Sequence, residues 1–305
     1  MAFVLLIKNM PKEDHRNLPL DVVTAARKTD LRILCLALAG LRRFVRMKRL
    51  YVITARVNFA CFRKALGSEV ELLDEDSMTP GLTLRQLRLF TLPGLRKAAG
   101  WYLQQFDKLA FSFQPSSDDY YLIWDSDTVP LRPLEFFDAD NKMCFTISDE
   151  EHPPYLENFR KLLRQEPQRE FSFIAQHMIV QKSVAREMLG RIETNFPGND
   201  SWAGKIMRHL EGTHANLFSE YETLGHYIKT NYPERATYRR LPWLREAALE
   251  TRGMPSAADL TRLAEKYYYA TFESGQMPLR KFLKDLRRFF VRGTPAYRYH
   301  PTAPE

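Results

Sequence analysis

The sequence predicts an α/β fold in which a mainly parallel sheet is flanked by helices. Three short segments rich in leucine and β-branched residues, at 20–26, 49–54 and 70–73, are each predicted to form a strand. Between them, apolar residues recur at helical spacing. Strands that alternate with helices are typical of a parallel sheet covered by helices. The 305 residues, 45% of them hydrophobic, suffice for a buried core.

Charge and cysteine content narrow the class of protein. The net charge of +8 suits anionic partners such as nucleotides, nucleic acid or an acidic membrane surface. Cys35, Cys61 and Cys144 lie far apart without metal-site spacing, which indicates reduced cysteines of a cytosolic protein. The N-terminal apolar run lacks the features of a secretory signal, and the stretch 31–41 is shorter than a membrane span. We therefore expect a soluble or peripheral protein.

Strands and helices are predicted to alternate in the first half of the chain. A helix from Leu31 to Val45, capped by Asp30, follows the first strand. A helix over 58–66 ended by Gly67 separates the second and third strands. A helical region over 84–113 then leads into the aromatic and β-branched segment 120–124, which is predicted to be a central strand.

The second half is predicted to be richer in helices. Strands are expected at 142–147 and 177–181, and helices at 183–195, 201–210 and 219–230. Ser256 and Asp259 form a capping-box pattern before a helix predicted to include 267–269, and a last helix spans 279–290. We predict a main domain over 1–250 and a helical, basic C-terminal extension over 251–305.

Two carboxylates follow the predicted central strand. Asp125 and Asp127 are one residue apart, so in extended backbone both side chains point to the same side. Ligands of open α/β sheets bind outside the carboxyl ends of the strands, where this pair would lie. Two carboxylates there suit Mg²⁺ or Mn²⁺, which leave coordination positions open for phosphates. The alternative is a polar strand end in which one carboxylate caps a turn.

The segment around this pair resembles a known family. Tyr-Tyr-Leu-Ile-Trp-Asp-Ser-Asp-Thr-Val-Pro-Leu, at 120–131, is similar to the metal-binding strand of GT-A glycosyltransferases, in which a hydrophobic strand ends in Asp-x-Asp. Segments 20–30, 100–108, 175–178 and 219–222 also resemble bacterial GT-A-like proteins often found with surface-polysaccharide genes. The resemblance covers about 20–245.

The resemblance implies a GT-A catalytic domain over 1–250 that binds a nucleotide-sugar donor, most simply a UDP-sugar. It implies that Mn²⁺ or Mg²⁺ at Asp125 and Asp127 holds the donor diphosphate, with Ser126 in the same cofactor site. The acceptor would be a saccharide or a lipid-linked saccharide, in surface polysaccharide or lipopolysaccharide biosynthesis. In this family the loop after the first strand contacts the nucleotide, which implicates Thr24, Arg27 and Lys28. A solvated basic loop is the alternative for these residues.

One face of the helix before the metal strand also carries candidate ligand contacts. Trp101, Gln105 and Lys108 are spaced at i, i+4 and i+7. Lys108 would contact a phosphate as a point charge, and Trp101 would stack on a base or a sugar. The alternative is an amphipathic core helix with a lysine whose stem is buried.

A histidine and two glutamates complete the candidate site. His177, at the start of an apolar strand, is a candidate for the metal shell or for acceptor contact, or else a hydrogen-bonded structural residue. Glu220 and Glu222 are candidates for the base that an inverting transferase needs. A capping box between Ser219 and Glu222 would explain Glu222 without chemistry, so Glu220 is preferred. An inverting mechanism is slightly favoured, although a retaining one needs no such base.

The segment 279–292 has the pattern of an interfacial helix. An apolar stripe runs along one side, and six basic residues oppose the single acid Asp285. This pattern predicts a cytoplasmic enzyme with peripheral contact at the inner face of the membrane. The alternative is a helix whose stripe packs against the main domain.

Two other functions remain open at this point. The pI near 9.3 is typical of a nucleic-acid-binding protein, but no RRM, KH, zinc or helix-turn-helix signature is present, so nucleic acid is not the expected partner. A metal-dependent phosphodiesterase or nucleotidyltransferase would also use Asp125 and Asp127. A two-metal site of that kind normally needs more ligands than the local sequence offers.

Overall fold

The computed structural model describes residues 15–90, 92, 94–115 and 118–273, and a five-stranded sheet lies at its centre. Strands and helices alternate at first: β1 (Leu20–Ala25), α1 (Leu31–Phe44), β2 (Met47–Thr54), α2 (Phe59–Leu66) and β3 (Val70–Asp74). Three helices and two strands follow: α3 (Glu75–Met78), α4 (Leu84–Leu87), α5 (Leu95–Ala110), β4 (Tyr120–Trp124) and β5 (Thr128–Pro130).

The second half of the described chain is mostly helical. It contains β6 (Met143–Thr146), α6 (Pro153–Leu163), β7 (His177–Gln181), α7 (Lys182–Asn195), α8 (Trp202–His209) and α9 (Glu220–Asn231). The last elements are short: β8 (Ala236–Arg239), β9 (Trp243–Leu244), α10 (Ala247–Glu250), α11 (Ala257–Ala264) and β10 (Tyr269–Thr271). None of the described helices is long and apolar enough to span a bilayer.

The central sheet confirms the predicted fold class. Its strand order is β3-β2-β1-β4-β7, and all neighbours are parallel except β4 and β7. Strand β1 is buried along its whole length and pairs with β4 through Val23 and Ile123. The connections lead away from β1 in opposite directions, to β2 on one side and to β4 on the other. The crevice between β1 and β4 is therefore a topological switch point, where α/β sheets bind ligands.

Two small sheets accompany the central sheet. Strands β6 and β8 are paired in parallel, and β10 lies between β5 and β9. The predicted helix through 267–269 is wrong, because α11 ends at Ala264 and Tyr269 begins β10. Tyr269 is fully buried, where its ring stacks on Trp243. The capping box of Ser256 and Asp259 is confirmed at the start of α11.

Strand β10 pairs with β5 and thereby holds the last described residues against the segment after β4. The amide of Phe272 donates to the carbonyl of Asp127 at 2.8 Å, and the hydroxyls of Thr128 and Thr271 are 2.9 Å apart. Residues up to 273 therefore adjoin the predicted metal-binding turn. The domain boundary at 250 stays a prediction, and the predicted helix over 279–290 lies outside the described residues.

Three local features differ from the sequence predictions. The helical region over 84–113 is divided into α4, α5 and a final 3₁₀ turn, because Gly94 adopts φ +68 immediately before α5. Asp30 precedes α1 but makes no capping bond, since its carboxylate accepts from Arg27 instead. Helix α6 was missed although its two prolines suit a first helical turn.

Gly225 is required by close packing inside α9. A Cβ at this position would lie 2.2 Å from the ring of the buried Phe173. We expect Gly225→Ala to lower the free energy of unfolding by about 1–3 kcal/mol through overpacking, although alanine favours a helix by about 1 kcal/mol. Gly190 in α7 has no atom within 4 Å of such a Cβ, so Gly190→Ala is the matched control and should be stabilising. Equal effects of the two changes on urea denaturation would contradict this packing.

Candidate active site

A cavity of about 720 Å³ opens at the switch point between β1 and β4. The segment after β1 contributes Arg27 and Asp30 to its wall, and the segment after β4 contributes 125–127. Helix α5 and the first turn of α9 supply another side, which includes Lys108 and Glu220. The cavity is therefore built from several segments that are far apart in the sequence.

Asp125 and Asp127 lie in a turn, so the extended backbone that would point both side chains to the same side does not continue past β4. The amide of Thr128 donates to the carbonyl of Asp125 at 3.0 Å, which closes the turn. The amide of Asp125 donates to the carbonyl of Gln176 at 2.9 Å, which fixes the start of the turn against β7. Asp125, Ser126 and Asp127 nevertheless all line the cavity, as predicted for a site at the carboxyl end of β4.

The carboxyl groups around Asp127 favour the binding of positive charge at this position. Burial and the neighbouring carboxylates of Asp125, Glu273 and Asp30 raise the pKa of Asp127 to about 8. Eight acidic residues line the cavity against five basic ones: Asp30, Glu75, Asp107, Asp125, Asp127, Glu150, Glu220 and Glu273 against Arg27, Arg88, Lys97, Lys108 and Arg245. The cavity is thus acid-rich although the whole chain is basic.

This donor set fits a divalent cation held by two carboxylates. Mg²⁺ is commonly bound by one or two carboxylates together with water and substrate phosphates. The described residues include no group of three or more His, Cys, Asp or Glu side chains arranged for a metal. Phosphate or water oxygens would therefore complete the coordination of a cation at Asp125 and Asp127.

Lys108 is buried between two carboxylates. Its ammonium forms ion pairs with Asp125 and, at 3.0 Å, with Glu220. Burial alone would lower the pKa of Lys108, but these carboxylates raise it above its usual range. Burial also raises the pKa of Glu220, which the Lys108 ammonium opposes. The amide of Glu220 donates to Gln105 Oε1 at 3.0 Å, so Gln105 positions the first turn of α9.

The structure brings some predicted site residues to the cavity and leaves others outside it. Arg27, Trp101, Gln105, Lys108 and Ser126 line the cavity, together with Asp125, Asp127 and Glu220. Thr24, Lys28, His177 and Glu222 do not line it. Thr24 is buried within β1, and Lys28 is exposed to solvent.

His177 is packed in the core behind the cavity. Its ring stacks on Trp124 with centroids 5.0 Å apart, and its Nε2 shares a 3.2 Å hydrogen bond with Thr146. Burial lowers the pKa of His177 to about 3, with a smaller contribution from Arg239. This arrangement is that of a hydrogen-bonded structural residue.

Glu222 belongs to a separate, smaller pocket of about 230 Å³. Its carboxylate accepts from the hydroxyl of Ser172 and lies 3.0 Å from Nε2 of His226. Ser219 does cap α9 by accepting from the amide of Glu222 at 3.3 Å, but the Glu222 side chain does not return the bond. The two glutamates therefore lie in different pockets, and of the two only Glu220 lines the large cavity.

Several cavity residues escaped the sequence interpretation. Arg245 is paired with Glu150 and, at 3.2 Å, with Glu273, and these pairs raise its pKa against the effect of burial. Gln176 lines the cavity in a left-handed conformation, with φ +65. Arg245 and its partners come from segments without a recognisable motif, whereas Gln176 lies in the segment 175–178 that resembles GT-A-like proteins. The position of Gln176 beside His177 was the nearest clue.

Asp107 should make stability pH-dependent, because burial first, and then Glu75 and Asp76, raise its pKa well above 3.8. The folded state retains a proton that the unfolded state loses above pH 4, so the free energy of unfolding falls as pH rises in that range. Asp107→Asn keeps an acceptor for the Thr79 hydroxyl at 3.2 Å without the proton. We expect the stability of the variant relative to wild type to increase from pH 5 to pH 8, by up to ~1.4 kcal/mol per unit. A pH-independent difference in urea denaturation would contradict this.

The mainly parallel sheet, with a ligand-sized cavity at its switch point, makes this an open α/β protein whose candidate ligand site lies at the carboxyl ends of the strands. The chain belongs to the family described as "Family of unknown function (DUF6492)", whose model matches residues 18–240. No curated protein matches the sequence significantly.

Solved structures with similar folds include several glycosyltransferases. Mouse xyloside xylosyltransferase 1 is 11% identical with a TM-score of 0.47, over 85% of this chain and 99% of that one. The galactosyltransferase LgtC is 12% identical with a TM-score of 0.45, over 88% and 95%. The bifunctional glycosyltransferase WbbM is 10% identical with a TM-score of 0.44, over 87% and 47%. At these identities and TM-scores, the similarity assigns neither a substrate nor a mechanism.

Proposed function

We propose that this chain is a metal-dependent glycosyltransferase that uses a nucleotide-sugar donor, a UDP-sugar being the first candidate. The acid-rich cavity at the β1–β4 switch point, with Asp125 and Asp127 in one turn, carries this proposal. Its volume of about 720 Å³ lies within the usual range of small-molecule sites. The resemblance of 120–131 to the metal-binding strand of GT-A enzymes supports the same assignment.

Asp125 and Asp127 would hold Mn²⁺ or Mg²⁺. Such a cation supplies positive charge to the diphosphate as the bond to the sugar breaks. Arg88 and Lys97, which are exposed at the cavity wall, would place positive charge next to the nucleotide and phosphates of the donor. Arg27 would do the same from the loop after β1. Half-buried Trp101, which is stacked near Tyr155, offers a ring face for a base or a sugar.

Glu220 is the preferred base for an inverting transfer. It lines the cavity next to Asp125, and its ion pair with Lys108 favours the ionised form that accepts a proton. We expect Glu220→Gln to lower the rate of sugar transfer by about 100-fold or more while donor affinity changes little. Glu222→Gln is the matched control, because it lies in the other pocket and should retain transfer activity. Full activity of Glu220→Gln would favour a retaining mechanism without this base.

Product analysis distinguishes this proposal from a phosphodiesterase or nucleotidyltransferase. Incubation of nucleotide-sugars with Mn²⁺ should release free sugar and nucleoside diphosphate when water replaces the acceptor. Release of nucleoside monophosphate and sugar phosphate would contradict glycosyl transfer. The cavity offers the nucleic-acid alternative no support, because its volume of about 720 Å³ suits a small molecule.

The acceptor remains a saccharide or a lipid-linked saccharide, as in surface polysaccharide biosynthesis. A lipid-linked acceptor would suit a cytoplasmic enzyme attached to the inner face of the membrane. The basic segment 279–292, which lies outside the described residues, would provide that contact through its apolar stripe and its cations.

A further inference from the structure

Gln176 combines three properties at the entrance to β7. It is 6% exposed, its side chain lines the large cavity, and its backbone is left-handed with φ +65. Four non-glycine residues of the described chain have positive φ, and Gln176 is the only buried one. A long side chain in this conformation costs free energy that glycine would avoid.

The backbone hydrogen bond of Gln176 does not require a glutamine side chain. The carbonyl of Gln176 accepts from the amide of Asp125 at 2.9 Å, which holds the carboxylate-bearing turn against β7. Glycine would make the same backbone bond in the same conformation with less strain. The glutamine side chain therefore needs a separate reason to be there.

The carboxamide of Gln176 makes no hydrogen bond with another described residue, and its polar atoms are open to the cavity and not sealed in the core. In a mostly buried residue of this kind, the hydrogen bonds of the amide come from water or from a ligand that displaces the water. Because this amide lines the cavity, a ligand is the natural partner. A neutral carboxamide both donates and accepts, which suits sugar hydroxyls, whereas phosphates are better matched by cations.

We propose that Gln176 binds a hydroxyl of the donor sugar and helps to select that sugar. This inference rests on the proposed function. Its backbone bond to Asp125 places Gln176 next to the turn that would hold the cation, and therefore close to the bond between sugar and diphosphate. Gln176 is thus a specificity-determining residue of the donor site.

The test compares nucleotide-sugars with their parent nucleotides. Binding of UDP-glucose, UDP-galactose, GDP-mannose, UDP and GDP is measured by calorimetry with Mn²⁺, for wild type and for Gln176→Gly. We expect the best-bound nucleotide-sugar to lose about tenfold in affinity, while its parent nucleotide changes less than about twofold. The melting temperature of Gln176→Gly should be equal to or higher than that of wild type, because the strained conformation suits glycine.

Arg252→Gly is the matched control for backbone strain. Arg252 also has a positive φ, +53, but it is exposed and does not line the cavity, so its replacement should leave all affinities unchanged. Equal weakening of nucleotide and nucleotide-sugar in Gln176→Gly, or no change in either, would overturn the inference. Failure of wild type to bind any of these ligands would instead overturn the proposed function itself.

Discussion

Asp127→Asn is expected to lower the Mn²⁺-dependent release of sugar from a nucleotide-sugar by more than about 100-fold. Loss of a residue that merely supports a metal ligand costs roughly 10- to 100-fold, and loss of a ligand should cost more. Asp125→Asn should have a similar effect, since both residues line the cavity. The rate is measured with saturating nucleotide-sugar while the Mn²⁺ concentration is varied.

Asp127→Asn should nevertheless fold normally. Because the pKa of Asp127 is raised to about 8, the metal-free protein at pH 7 carries a mostly protonated carboxyl there, and asparagine resembles it closely. Asp200→Asn is the control, because it removes an exposed carboxylate that pairs with Arg208 and does not line the cavity. Asp127→Asn with wild-type activity at every Mn²⁺ concentration would rule out Asp127 as a metal ligand.

Lys108→Met is expected to be the most destabilising change at the cavity. It leaves Glu220 deeply buried and Asp125 half-buried without the ammonium that both carboxylates contact. Removal of one partner of a buried ion pair costs about 3–5 kcal/mol of folding free energy, because the other charge stays uncompensated. Urea denaturation of the metal-free protein measures the loss.

A second variant separates charge from packing at Lys108. Lys108→Met/Glu220→Gln removes the buried negative charge as well, so it should recover most of the lost stability. Mn²⁺ should also raise the melting temperature of Lys108→Met more than that of wild type, because a cation at Asp125 replaces part of the missing charge. If the double variant is as unstable as Lys108→Met, packing of the lysine stem accounts for the loss.

The fold was predictable because its signals are local. Strands β1 and β4 and helix α1 each show their periodicity within one short segment, and the Asp-Ser-Asp turn follows β4 directly. The same locality explains why Lys108 and Glu220 were found, since each lies on a helix face or cap with a recognisable pattern. Their ion pair joins residues 112 positions apart, and no sequence pattern reports it.

The remaining features depend on tertiary structure. Arg245 and Glu273 reach the cavity because short strands such as β9 and β10, of two and three residues, dock beside the turn. Such strands are too short to show a period of two. His177 looked functional because a histidine in an apolar strand is unusual, but it is packed in the core, where it stacks on Trp124 and bonds to Thr146 through Nε2.

Binding of a nucleotide-sugar through a divalent cation at Asp125 and Asp127 is tested by calorimetric titration of the full chain. The ligands are UDP-, GDP- and CMP-linked sugars, with and without Mn²⁺. We expect one nucleotide class to bind only when Mn²⁺ is present, and Asp125→Asn/Asp127→Asn to abolish this binding. Absence of binding to every nucleotide under both conditions, or binding that is indifferent to Mn²⁺ and to the double substitution, would contradict this expectation.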